Sequence, residues 1–112
     1  MKTTHVLAGI VVDDIEAGTT WWGELFGRPA DTVPMPSCHE WRLGADVTVQ
    51  VHQNPGARAG ESSIALVVDD LETALAEAPR DRFGDVEVVS VARIARASDP
   101  EGNQVTLVEP LS

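Results

Sequence analysis

The chain has 112 residues, a length that suits one domain around one core, and its three Trp, two Phe and no Tyr leave that core to be built mainly from Val, Leu, Ile and Ala. Eighteen acidic residues against eight basic ones give a formal net charge of -10, which argues against nucleic acid and anionic membrane surfaces as partners. A single cysteine, Cys38, excludes an intramolecular disulfide; with no run near the roughly 18 apolar residues of a membrane span or a signal-peptide core, a cytoplasmic location is expected.

In chain order, the apolar run that ends at Val11-Val12 meets Asp13-Asp14. Asp is a strong helix N-cap, so the pattern predicts a strand followed by a helix over residues 15–26. Gly27 supplies a left-handed stop and Pro29 blocks continuation. On that helix Ile15, Thr19, Trp22 and Phe26 share one stripe, which assigns Trp22 to packing against a sheet. Strand-like pieces follow at about 30–33, 40–43 and 47–53, and Asn54-Pro55-Gly56-Ala57-Arg58-Ala59-Gly60 reads as a connection. A second strand ends at Val67-Val68 before Asp69-Asp70, leading into a helix over about 71–78 that Pro79 closes. Further strands are expected at 86–89, 92–97 and 104–109. Before the last of these, Asp99-Pro100-Glu101-Gly102-Asn103 has the composition of a tight turn.

The two halves repeat. Val11-Val12-Asp13-Asp14-Ile15-Glu16 returns 56 positions later as Val67-Val68-Asp69-Asp70-Leu71-Glu72, and the same shift lays Val49-Gln50-Val51-His52 on Val105-Thr106-Leu107-Val108. Two separated matches at one displacement indicate duplication. The chain is thus read as one α+β domain, residues 1–112, with module one at about 4–53, a linker at 54–61 and module two at about 62–110. Each module is a βαβββ unit, and a small sheet with one helix leaves a face uncovered.

These features resemble the vicinal oxygen chelate superfamily, which includes glyoxalase I, extradiol dioxygenases and the bleomycin- and fosfomycin-resistance proteins. The resemblance is carried by Val12-Asp13-Asp14-Ile15-Glu16, by Trp21-Trp22-Gly23-Glu24-Leu25-Phe26-Gly27 and by the Asp99–Asn103 turn, and covers nearly the whole chain. It implies two modules whose eight strands form a cup-shaped mixed sheet, with metal ligands on the first and fourth strand of each. Carried over, those positions are Leu7, Gln50, Ser63 and Thr106. Leu has no donor atom and neutral hydroxyls are poor ligands, so no metal and no cofactor is expected.

Side chains two apart on a strand share a face, which places His5 beside Leu7 and His52 beside Gln50. The expected small-molecule site therefore comprises His5, Gln50, His52, Ser63 and Thr106, with Trp41 on the third strand to stack a flat or cationic ligand. The Asp13-Asp14 and Asp69-Asp70 pairs are assigned to capping, and Cys38-His39 to structure, since neighbours on a strand face opposite sides. Two function classes follow. The first is a metal-independent binding protein resembling the bleomycin-resistance branch, sequestering a drug or metabolite in a homodimer. The alternative is a glyoxalase- or dioxygenase-like lyase or isomerase, using a displaced metal at His5, Gln50 and His52 or a His general base. Whether the cup closes within one chain or between two is left open by the sequence.

Overall fold

The computed structural model describes residues 1–111. In the first half, β1 (Val6–Val11), α1 (Ile15–Phe26), β2 (Thr32–Met35), β3 (Cys38–Arg42) and β4 (Val47–His52) form a mixed four-stranded sheet in the order β1-β4-β3-β2. The second half repeats it with β5 (Ser63–Val67), α2 (Leu71–Glu77), a 3₁₀ turn at Arg80–Arg82, β6 (Glu87–Val89), β7 (Ala92–Ser98) and β8 (Gln104–Pro110), in the order β5-β8-β7-β6. No helix among the described residues is long and apolar enough to cross a membrane.

The caps are those the sequence predicts. Asp14 Oδ1 accepts from the Ala17 N–H at 3.0 Å and Asp70 Oδ1 from the Thr73 N–H at 3.3 Å. Gly27 closes α1 at φ 73°, a backbone conformation that costs glycine little, while the Arg28 N–H reaches back to Gly23 O. The second strand of module one lies two residues later than expected. Asp31 is held in the connection by the Arg28 guanidinium and by the Arg42 N–H at 2.7 Å, so extended pairing begins only at Thr32. Pro34 within β2 is tolerated because β2 is the sheet edge.

Strand alternation sorts each sheet into two faces. Ile10, Trp41, Val49 and Val51 of module one point to the helix side, as do Ala95, Ala97, Val105 and Leu107 of module two; these join Trp22, Leu71, Leu75 and Phe83 in a single apolar cluster. The helix-covered faces of both sheets therefore feed one core. Their opposite faces are turned to solvent, which is why Leu7 and Val67 are 58% and 72% exposed despite lying on sheet strands.

A polar seam fixes the modules to each other. The last residue of β1, Val11, receives at its carbonyl the Gly60 N–H and the Asn103 side-chain amide, and donates its own N–H to Ser62 Oγ. Both Glu101 oxygens accept the N–H groups of Asp13 and Asp14, at 2.7 and 3.0 Å. Trp22 Nε1 donates to the buried Asp99 carboxylate at 3.0 Å. A Cβ at Gly60 would collide with the Glu101 carbonyl oxygen, so the linker crosses the turn where only glycine fits.

Candidate functional site

The open face of module one is built from alternate residues of three strands. β1 contributes Leu7 and Gly9, β4 contributes Thr48, Gln50 and His52, and β3 contributes Cys38, Glu40 and Arg42. Antiparallel register sets Cys38 opposite His52, Glu40 opposite Gln50 and Arg42 opposite Thr48. His5, just before β1, places Nε2 2.8 Å from Thr48 Oγ1. His52 lies over the bare backbone of Gly9, where a Cβ would stand 3.1 Å from its Nε2. Gln50 Nε2 donates to Glu40 Oε2 at 2.5 Å. A carboxylate can only accept, so this bond turns the amide nitrogen toward Glu40 and leaves the amide oxygen free. Burial and the charge of Glu40 push the Cys38 thiol up from its ordinary range, which leaves it protonated and poorly nucleophilic at neutral pH.

The corresponding face of module two carries Ser63, Ala65 and Val67 from β5, Gln104, Thr106 and Val108 from β8, and Ile94, Arg96 and Ser98 from β7. Its charged pair is internally satisfied, with Arg96 Nη1 2.9 Å from Glu87 Oε2. The rest of the face is uncharged, with small residues at Ser63, Ala65 and Ser98 beside the larger Val67, Ile94 and Val108.

Of the residues singled out in the sequence, His5, Gln50 and His52 gather on the module one face, whereas Ser63 and Thr106 lie on the module two face. Within one chain these groups belong to separate sheets whose open faces both turn away from the shared core. Trp41 requires a correction. It pairs with Val49, not with Gln50, is 1% exposed, donates Nε1 to Arg28 O and lies 5.6 Å from Phe26 between ring centroids. Its free edge borders only a shallow groove of about 540 Å³ on the helix side, with Thr20, Gly23 and His39. Trp41 is a core residue because the hairpin between β3 and β4 sets Glu40, not Trp41, across from Gln50.

That same register supplies the residue the sequence reading missed. Glu40 puts a carboxylate between Gln50 and Cys38 on a face expected to have none. The sequence signal was there: in Cys38-His39-Glu40-Trp41-Arg42 the one large aromatic belongs to the buried side, which sends Glu40 and Arg42 to the other.

The metal positions implied by the family resemblance do not fit an ion. Leu7 is an alkyl group, Gln50 offers a single neutral amide oxygen, and Ser63 and Thr106 lie on the other sheet. Among the described residues no three His, Cys, Asp or Glu side chains come together in a chelating geometry.

No family model matches the chain, and no curated protein sequence does. Solved structures do match, over almost the full length. A glyoxalase/bleomycin resistance protein from Catenulispora acidiphila superposes with a TM-score of 0.84 at 24% identity, over 96% of this chain and 98% of that one. An antibiotic-binding protein from Streptomyces gives 0.77 at 23% identity, over 98% of each chain. A bleomycin resistance determinant encoded on a transposon gives 0.70 at 16% identity, over 96% and 98%.

Proposed function

We propose that this chain, which has the fold of the vicinal oxygen chelate superfamily, is a metal-independent small-molecule binding protein of the bleomycin-resistance kind that sequesters an antibiotic or a metabolite. The observation that carries the reading is the paired open faces. One is lined by hydrogen-bonding groups at His5, Thr48, Glu40, Gln50 and His52, the other by small neutral residues around Ser63, Ala65 and Thr106. Apolar walls with a few orienting polar groups are the usual composition of a ligand pocket. Neither face is enclosed in one chain.

A homodimer supplies the enclosure. β1 and β5 are edge strands that present Val6, Leu7 and Val67 to solvent at 52%, 58% and 72% exposure, a pattern suited to burial against a second copy. A two-fold pairing seats the module one face of each chain against the module two face of the other and makes two equivalent cups. Antibiotic binding by a structural neighbour, and bleomycin resistance in another, support the ligand class.

Calorimetric titration with metal-free bleomycin and with an anthraquinone antibiotic tests the proposal. The expected result is saturable binding of one of them, at one ligand per cup, that is unchanged by a chelator. Stoichiometric divalent metal in the purified protein, or loss of binding with the chelator, would overturn metal independence. Sedimentation should show a dimer, and Leu7→Glu or Val67→Glu should shift it toward monomer. A wild-type monomer at tens of micromolar would sink the two-chain cup.

A further inference from the structure

The sheets carry three carboxylates on their strands, and two of them have cationic partners. Glu87 pairs with Arg96 at 2.9 Å, and Glu109 lies 3.8 Å from Arg93 while also accepting the Leu71 N–H at 2.7 Å. Glu40 is the third. Among the described residues no Lys, Arg or His stands within 4 Å of it, although Glu40 is half-buried at the centre of β3, on the face proposed to bind. Gln50 holds one of its oxygens and leaves the other without a partner. The free amide oxygen of Gln50 stands beside it, so the site presents two adjacent acceptors.

An array of acceptors backed by one uncompensated charge matches a protonated amine or a guanidinium, whose N–H groups supply both the donors and the missing positive charge. The repeat sharpens the contrast. The position 56 residues after Glu40 is Arg96, whose charge is already met by Glu87 in its own sheet, so a second copy does not bring an unpaired cation from that position. We propose that Glu40, positioned by Gln50, is the specificity-determining residue of the cup and selects ligands that carry a protonated nitrogen. This rests on the small-molecule reading above and adds to it the charge of the ligand. The chain's formal charge of -10 favours approach of such a cation, in a salt-dependent way.

The test uses two matched probes, an anthraquinone bearing an aminoethylamino side chain and the same anthraquinone ending in a hydroxyethyl group, titrated calorimetrically into wild type and into Glu40→Gln. The wild type is expected to bind the amine about tenfold or more tightly than the alcohol, with the preference shrinking as salt is raised. In Glu40→Gln, which preserves shape, the preference should fall to within about threefold, chiefly through weaker binding of the amine. In wild type, the Gln50 side-chain amide resonances should shift on adding the amine. Equal binding of both probes by wild type, or a preference that survives Glu40→Gln, overturns the selector and leaves the cup standing. Weakened dimerisation of Glu40→Gln with an intact preference overturns it too, by assigning Glu40 to the interface. If neither these probes nor bleomycin binds, the small-molecule reading itself falls.

Discussion

The two modules share a fold and a register but differ wherever chemistry is possible. A single shift of 56 carries Glu40 to Arg96, Gln50 to Thr106, His52 to Val108, Gly9 to Ala65 and Asn103 back to Val47. Module one has hydrogen-bonding groups and an unpaired carboxylate on its open face, whereas the open face of module two is uncharged apart from the self-paired Arg96 and Glu87. The seam is just as uneven. Module two supplies Asp99, Glu101 and Asn103 to grip the end of β1 and the start of α1, and the matching segment Leu43-Gly44-Ala45-Asp46-Val47 offers no such grip. Duplication fixed the scaffold, and divergence divided the labour: one copy presents the polar site, the other the clamp.

The largest test of that division is Trp22→Ala. Trp22 is fully buried where the modules meet, packs edge-on to Trp21 at 4.9 Å and donates to Asp99. Removing it should cost about 4 kcal/mol in urea unfolding. Trp22→Phe, which keeps most of the packing but removes one of the two N–H groups that meet Asp99 Oδ2, should cost about 1 kcal/mol. A Trp22→Phe variant as stable as the wild type would mean that the Trp22–Asp99 bond carries no weight in holding the modules together.

Next comes the clamp itself. Asn103 is 0% exposed, receives the Ser62 N–H at 2.9 Å and donates to Val11 O at 3.0 Å and Asp99 Oδ2 at 2.9 Å. Asn103→Ala should lose about 2 kcal/mol, chiefly because the Ser62 N–H is left without an acceptor. The mirror change in module one, Val47→Asn at a site already 39% exposed, should move stability by less than about 0.5 kcal/mol. Similar losses from both would mean that the seam is not specific to module two.

How much of this was legible in the sequence follows from the range of the interactions. The repeat, both helices and their caps are local, and Asp14, Gly27, Asp70 and Pro79 announce them. The division into open and buried faces depended on cross-strand register, and this is where Trp41 and Glu40 exchanged roles. Periodicity says that they face opposite ways and the aromatic ring marks the buried side; the pairing of β3 with β4 adds that Glu40 stands across from Gln50. The seam was out of reach, since Glu101 caps a helix 87 residues earlier in the chain through a contact that no local pattern encodes. The clustering of His5, Gln50 and His52 was legible because it needed only parity along β1 and β4.

A smaller effect is expected from making module one more like module two at β1. Gly9→Ala copies Ala65, and its new Cβ meets the tip of the His52 side chain at 3.1 Å, a group able to swing away. Stability should therefore change by less than about 1 kcal/mol, the gain in strand propensity offsetting the displaced ring. Ligand affinity and the His52 ring resonances should change more than stability does. A stable variant with unshifted His52 signals would show that the ring does not rest on Gly9.

The smallest effect separates the edge hairpins. Asp31 and its repeat counterpart Glu87 both pair with arginine, but only Asp31 also accepts a backbone N–H across the hairpin, from Arg42. The Arg28 guanidinium, and after it the Arg42 N–H, hold the Asp31 carboxyl down to about 2, from a usual value of 3.8. A carboxylate whose pKa is lower folded than unfolded adds stability that is complete above the unfolded value and disappears as pH falls through the folded one. Its contribution should accordingly fade between about pH 4 and pH 2. The pair is solvent-exposed, so the effect is screened and should weaken further in high salt. Asp31→Asn should flatten the acid limb of a plot of unfolding midpoint against pH in that window. An acid limb that Asp31→Asn leaves unchanged would remove this carboxylate as its source.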